Sequence, residues 1–290
     1  MSEVLTPAPV APPRTLVWAQ ALVLAGLLGA AYARVGASLW ETWSTNDNYS
    51  HGPLVPLASL ALVWLRWPRL RALAVQPASS GLWLLAAGCL MLVLGLRMDV
   101  FALQGWSLLV VLLGLTLTFF GVPILHMLAF PILYLAFMLT FPPVVMNTLS
   151  FALKSFATAG AAGAAELLGV AMRRDGMQIY FASGELSIEN PCSGLRSLIA
   201  LLATGTLFAY FQRGGLWRRA VVMLAAIPIA LAGNMARLLL LFIASDRKGV
   251  DWATGRFHDV TGYVMYAVAL GLLVLLRGVL TPRGARGAAE

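Results

Sequence analysis

Charged side chains are scarce in this sequence. Lysine, arginine, aspartate and glutamate make up 11% of its 290 residues, whereas 60% are hydrophobic. Soluble domains carry about 25% charged and about 45–50% apolar residues. No polar stretch is long enough to build a domain in water. The composition therefore predicts a polytopic membrane protein without a separate aqueous domain.

Cysteine is nearly absent as well. The two cysteines, Cys89 and Cys192, allow one disulfide at most, which makes a disulfide framework unlikely. Cys89 lies inside the apolar run LLAAGCLMLVL and is expected to pack as a small hydrophobic residue. Cys192 instead follows a proline at the start of an apolar run, which places its thiol at the start of an expected helix.

Several catalytic motifs are also missing. There is no H-E-x-x-H zinc motif, no phosphate-binding loop and no G-x-S-x-G turn, and no aspartate pair lies within an apolar run. We expect neither a metal nor another cofactor. The net charge of +8 comes from arginines that flank apolar runs, so we expect them to set topology and contact lipid headgroups rather than nucleic acid.

Long apolar runs dominate what is present. They are too long and too little alternating for barrel strands, so they predict helices. At ~20 residues for each crossing, the sequence predicts an all-α polytopic membrane protein with about eight transmembrane helices. The expected spans are residues 16–35, 53–67, 81–96, 101–121, 122–141, 194–211, 220–244 and 262–276. They form a single domain over residues 16–280, between a disordered cytoplasmic tail at 1–15 and a second cytoplasmic tail at 281–290.

Two further segments have their own patterns. Residues 149–172 are rich in alanine and glycine but carry Lys154 and Glu166, which is typical of an interfacial or re-entrant helix; a full span is the alternative. The following stretch, GMQIYFASGELSIEN, alternates apolar and polar residues around a Ser-Gly turn at 183–184, which predicts a short hairpin on the extracytoplasmic side.

Arginine-rich loops predict the orientation. If the N-terminus lies in the cytoplasm, the basic stretches at 66–71, 213–219 and 277–286 all lie inside, as expected for a multi-pass protein of the inner membrane. Cys192, Arg237 and His258 then reach the opposite, extracytoplasmic side at similar depth. Hydrophobic packing does not require this convergence.

Cys192 is the candidate nucleophile. Asn190 is a plausible N-cap and Pro191 a plausible first helical residue, so the thiol would lie in the first turn of a helix. Backbone donors and the helix dipole favour a thiolate there. Arg196 follows four residues later on the same face and is a candidate supporting residue. The alternative interpretation is a buried small cysteine at an ordinary helix start.

Arg237 and His258 are the other catalytic candidates. An arginine within a span costs at least ~2.5–3.5 kcal/mol to insert, unless it reaches the interface. Asn234, one turn earlier, makes a polar stripe with it. Arg237 suits a carboxylate or a developing oxyanion, and a neutral His258 could move protons. The alternatives are a snorkelling arginine and a wet interfacial histidine.

A polar block precedes the second expected span. It reads NDNYSHGPLVP and contains Tyr49, Ser50 and His51. One interpretation is a turn that starts the helix, and the other is a wall or recognition element of the site.

These motifs resemble those of the exosortase/archaeosortase family, in its bacterial exosortase-like form. The resemblance rests on CSGLRS with Cys192 and Arg196, NMAR with Asn234 and Arg237, FHDVTGY with His258, and YSHGPLVP. It implies a multi-pass thiol protease or transpeptidase with Cys192, Arg237 and His258 as catalytic residues. The implied substrates are proteins with a PEP-CTERM-like C-terminal tail, made of a short motif, a transmembrane helix and a basic end.

The resemblance also implies a reaction course. Attack by the thiol would give a thioester and release the tail helix, and an amine or water would then resolve the acyl-enzyme. Bacterial systems of this kind often accompany exopolysaccharide production. Two other functions remain open at this point: a transporter or export component, motivated by Arg237 and Asn234, and a non-catalytic membrane scaffold.

Overall fold

The structure, a computed structural model, describes residues 14–188 and 194–281, with side chains from residue 22 onward. The two expected tails therefore lie largely outside the described residues. The helices are α1 (Arg14–Thr45), α2 (Leu54–Ala72), α3 (Gly81–Arg97), α4 (Phe101–Phe120), α5 (Val122–Tyr134), α6 (Pro143–Leu167), α7 (Leu195–Phe211), α8 (Leu216–Lys248), the single turn α9 (Val250–Trp252) and α10 (His258–Leu280). Short 3-10 turns occupy Asp47–Tyr49 and Leu135–Met138.

The fold class is that of an all-α membrane protein, but the expected count of eight spans is not confirmed. Among the described residues, four helices are long and apolar enough to cross a membrane: Leu22–Thr45, Phe101–Phe120, Leu216–Lys248 and Val250–Leu280. A fifth crossing results if a bent pair of helices counts as one. The apolar helices α3 and α7 have only 17 residues each, and α2 carries three arginines near its end.

The bent pair contains the alanine-rich segment. Val122–Met138 and Pro143–Leu167 meet at 76° across a short break, the geometry of a broken span or of a re-entrant loop. Both interpretations of residues 149–172 therefore remain open. The small side chains have a clear role in packing, because Ala157, Ala161 and Ala165 are almost fully buried in a core that α6 shares with α8 and a small sheet.

That sheet confirms the expected hairpin and extends it. Strands β1 (Arg173–Asp175), β2 (Gln178–Phe181) and β3 (Gly184–Ser187) pair antiparallel in the order β1-β2-β3. Phe181 pairs with Gly184 across the turn at 182–183, one residue before the expected position. The inward side chains Ile179 and Leu186 are buried. The third strand, β1, is an addition that the sequence analysis did not anticipate.

Glycines hold α3 and α4 together as a tight antiparallel pair. Gly81, Gly88 and Gly95 recur every seven residues along α3 and face the backbone of α4. A Cβ at Gly88 would lie 2.7 Å from the Val111 side chain and 2.9 Å from the Val111 backbone nitrogen. Such backbone-to-backbone approach is a common way to pack membrane helices. It fixes the position of the α3–α4 turn, which contains Asp99.

Helix α7 joins two groups of helices. Its residues Ala203 and Leu207 pack with α1, α4 and α5, whereas Leu198 and Leu201 pack with α8 and α10. The start of α7 consequently lies between the two groups. This is the helix whose first turn follows the Cys192 segment.

Candidate active site

Arg237 and His258 come together between α8 and α10. One guanidinium nitrogen of Arg237, Nη2, lies 2.9 Å from His258 Nε2 and 3.5 Å from the His258 carbonyl oxygen. The guanidinium also lies across Gly262, one turn after His258, where an added Cβ would be 3.2 Å from Arg237 Cζ. Glycine at that position therefore makes room for the arginine.

The guanidinium meets the imidazole through a ring lone pair, because a guanidinium can only donate. His258 Nε2 is the nearer ring nitrogen at 2.9 Å from Arg237 Nη2, and Nδ1 lies 3.4 Å from the same atom. His258 Nδ1 lies 3.5 Å from Asp259 Oδ1, close to the limit for a hydrogen bond. The pair therefore contains a fixed cation beside an imidazole in its neutral, lone-pair-bearing form, which is the form that a general base requires.

Asn234 brings the start of α7 to this pair. The side chain of Asn234 is buried. A Cβ at Gly194 would lie 2.7 Å from Asn234 Cγ, and Gly194 has a left-handed backbone with φ of +75°. Because both the contact and the backbone angle exclude a larger residue, Gly194 fixes how closely α7 approaches α8. A cleft opens beside this contact, and its lining includes Ser197, Asn234 and Arg237.

The third expected catalytic residue, Cys192, lies outside the described residues, which omit 189–193. The described parts of the chain bring together its neighbour Gly194, Asn234, Arg237 and His258 at one end of the bundle. Cys89 is a free cysteine exposed on the surface of α3, so the expectation that it is a buried small hydrophobic residue is wrong. Within the described residues, no cluster of three or more histidine, cysteine or acidic side chains could hold a metal ion.

Arg196 does not join this cluster but makes an ion pair with Asp47. Asp47 belongs to the 3-10 turn between α1 and α2. The pair therefore links the first turn of α7 to the polar block at residues 46–56, here called the YSHG block. The two side chains are 46% and 66% exposed. Water therefore screens the pair. Arg196 was identifiable from its motif but its partner was not, because no local pattern relates residues so far apart in the chain.

The YSHG block binds backbone atoms rather than reactive side chains. Tyr49 Oη accepts a hydrogen bond from the Phe141 N–H at 3.1 Å. His51 Nε2 lies 3.1 Å from the Phe137 carbonyl oxygen and must donate to it. Burial raises the pKa of Tyr49 and lowers the pKa of His51. Exposed Ser50 donates to the Asp47 carbonyl and closes the turn.

Residues 137–141 therefore have several anchors at the break between α5 and α6. Trp43 Nε1 donates to the Met138 carbonyl at 3.0 Å, and Trp106 Nε1 donates to the Thr140 carbonyl at 3.2 Å. The block forms a turn that precedes α2, in agreement with one of its two interpretations. Tyr49 also forms part of the wall of a larger cavity next to Leu195.

A comparison with protein families identifies the group to which this chain belongs. The family model for transmembrane exosortases matches residues 43–275, which include all four motifs. The chain is a member of the transmembrane exosortase family. No curated protein and no solved structure matches the chain significantly. Membership, together with the long apolar helices, indicates a membrane protein and suggests a membrane protease or transpeptidase.

Proposed function

We propose that the chain is a membrane-embedded cysteine protease or transpeptidase, with Cys192, Arg237 and His258 as its catalytic residues. Its substrates would be proteins with a PEP-CTERM-like tail: a short motif, a transmembrane helix and a basic end. The observation that carries the proposal is the 2.9 Å contact between Arg237 Nη2 and His258 Nε2 beside Asn234. A cation and a neutral imidazole on facing helices are what thiol-based acyl transfer needs.

The role of Cys192 is supported by its place in the sequence. It precedes Gly194 by two residues, and two residues of extended chain span at most about 7 Å. Gly194 contacts Asn234, one helical turn from Arg237. The thiol-bearing residue is therefore tethered close to the pair, whatever the conformation of the residues between them.

The proposed reaction has two stages. His258 accepts the thiol proton, and the Cys192 thiolate attacks the substrate carbonyl carbon while Arg237 stabilises the oxyanion. The C–N bond then breaks, the leaving amine takes the proton from His258, and the tail helix departs. A thioester remains, which an amine or water resolves. Arg237 would exchange its bond to His258 for the oxyanion when substrate binds.

The side of the membrane follows from the basic residues. The Arg66 guanidinium lies 4.6 Å from the ring centre of Tyr210, and the Arg277 guanidinium lies 5.2 Å from that of Phe208. Arginines at the ends of α2 and α10 thus gather at the end of α7, opposite to the start where the site lies. By the positive-inside rule, that end faces the cytoplasm. The site would then be extracytoplasmic in the inner membrane, with both termini in the cytoplasm.

The decisive experiment is co-expression of the full chain with a tailed substrate protein. The wild type should shorten the substrate, whereas C192A should leave it intact and C192S should form no thioester. C89A is the matched control, since it removes the other thiol and should process normally. A covalent enzyme–substrate adduct that hydroxylamine cleaves would support the thioester. Full processing by C192A would refute the proposal.

A further inference from the structure

A second cavity lies on the other side of the first turn of α7. Its volume is about 480 Å³, within the range of about 300–1,000 Å³ for small-molecule sites. The walls come from the end of α1 and the turn after it, the α3–α4 turn, the break before α6, and Leu195. We call it the Asp99 cavity, after the one carboxylate among the described residues that line it.

The formal charge in the described lining of the Asp99 cavity is negative. Asp99 contributes a carboxylate that makes no ion pair with any described residue. The described lining otherwise supplies hydroxyls, amides and apolar groups, including Asn46, Asn48 and Asn147, and contains no lysine, arginine or histidine. A ligand with a cationic, donor-rich group fits this lining, whereas an anion does not.

A buried hydroxyl adds a second, independent observation. Ser150 lines the cavity, its side chain is 7% exposed, and its Oγ has no hydrogen-bond partner among the described residues. A buried polar atom without a partner is unfavourable, because it has lost its hydrogen bonds to water. A ligand that donates to Ser150 Oγ would remove that cost.

The two clefts share the first turn of α7 as a wall. Leu195 lines the Asp99 cavity, whereas Ser197 lines the cleft of Arg237. Residues two apart on a helix point to opposite faces. The clefts therefore lie on opposite faces of the first turn of α7, with a cation in one and a carboxylate in the other. An acyl group held near Arg237 leaves the Asp99 side open for a second reactant.

We propose that the Asp99 cavity binds the primary amine that resolves the acyl-enzyme, an inference that rests on the proposed function. The bound ammonium first loses one proton to water. The amine nitrogen then attacks the thioester carbonyl carbon, so that a C–N bond forms and the C–S bond breaks. The second nitrogen-bound proton passes through His258 to the departing sulfur. One ammonium and one thioester thus give one amide, one thiol and one proton in water.

The test measures how the acyl-enzyme partitions between aminolysis and hydrolysis. The full chain in detergent is given a tailed substrate with increasing glycinamide or ethanolamine, and mass spectrometry distinguishes the amide product from the free carboxylate. For the wild type, the amide fraction should saturate with amine. The probe with the lower half-saturating concentration indicates whether a peptide amine or a headgroup amine is the natural source. N-acetylglycinamide, which lacks the amine, should form no amide.

Two variants test the cavity itself. D99N should raise the half-saturating amine concentration by about tenfold, because the carboxylate no longer holds the ammonium. It should change tail cleavage by no more than about twofold, because it leaves the proposed cysteine, arginine and histidine in place. Asp99 has φ of +53°, and asparagine tolerates this region as well as aspartate does, so the exchange adds no backbone strain. S150A should give a smaller rise, about threefold. D175N, on the exposed strand β1, is the matched control and should behave as wild type.

Three outcomes would overturn the inference while leaving the protease intact. These are hydrolysis only at every amine concentration, amide formation that rises linearly without saturation, and saturation that D99N leaves unchanged. If D99N instead raises KM for the tailed substrate and leaves the partition unchanged, the cavity holds the substrate chain. Failure of the proposed function is distinguishable, because the wild type would then not cleave the tailed protein at all.

Discussion

Two histidines at the same end of the bundle, His51 and His258, have opposite kinds of partner. His51 donates to a backbone carbonyl at the break between α5 and α6. His258 instead faces the side chains of Arg237 and Asp259. A backbone carbonyl is fixed by the fold, whereas a side chain can exchange one partner for another during a reaction. The comparison supports an architectural role for His51 and agrees with the proposed chemical role of His258.

The surroundings of the two histidines agree with this distinction. The His51 turn shares its target, residues 137–141, with Tyr49, Trp43 and Trp106, all of which bind backbone atoms. The His258 pair lies beside Asn234 and the start of α7 and lines a cleft through Arg237. A polar motif within a membrane protein is thus not by itself a reactive site, and the type of partner distinguishes the two cases.

The largest expected effect is on the rate of substrate cleavage, when Arg237 beside His258 is removed. R237A should lower the rate constant of substrate cleavage by about 10²–10³-fold, the usual loss for one oxyanion donor. The melting temperature in detergent should change little. Single-turnover cleavage measures the effect. R256A, which removes an exposed arginine near the same helix start, should cleave at close to the wild-type rate, and equal losses in both variants would contradict the assignment.

An intermediate effect is expected on the architectural side. H51L leaves the Phe137 carbonyl without its donor, so the free energy of unfolding should fall by about 1–3 kcal/mol, while cleavage per folded molecule stays near wild type. Burial lowers the His51 pKa below its ordinary value of 6.5. The unfolded chain therefore binds the proton more readily, and His51 stabilises the fold fully above pH 6.5 but progressively less as the pH falls below it.

Thermal unfolding of wild type and H51L from pH 8 to pH 5 tests the direction of this pH dependence. The stability difference between the two proteins should shrink as the pH drops below 6.5. A difference that is constant over this range, or a loss of cleavage as large as that of R237A, would break the distinction between the two histidines.

The smallest expected effect concerns the ion pair that links the two regions. Asp47 and Arg196 are both substantially exposed, so a double-mutant cycle with D47A and R196A should give a coupling of about 0.2–1 kcal/mol in stability, reduced by added salt. The charge swap D47R/R196D should recover most of it. Coupling that exceeds this range and resists salt would show that the pair is more important than its exposure indicates.

Much of the fold follows from local sequence pattern. Apolar runs located the major helices, and the alternation around residues 183–184 located the hairpin, because period and turn residues are local properties. The sequence also predicted a break between residues 121 and 122, and the structure has a tight connection there: Gly121 has φ of +84°, and an added Cβ would clash with the Gln76 carbonyl. The number of spans was not predictable in the same way, because it depends on helix length and on the bend between α5 and α6.

The candidate site shows the same difference between what local sequence pattern predicts and what tertiary contacts decide. The sequence by itself determined the family and the order of its motifs, and it indicated which residue types the proposed chemistry uses, since these reside in short motifs. Only the tertiary structure decided that Arg237 meets His258, that Arg196 turns to Asp47, and that Tyr49 and His51 hold a backbone segment. Each of these contacts joins separate helices or turns. Its geometry is set by how glycine and alanine faces let those elements approach, as at Gly194 against Asn234 and Gly262 against Arg237, and no local periodicity encodes that.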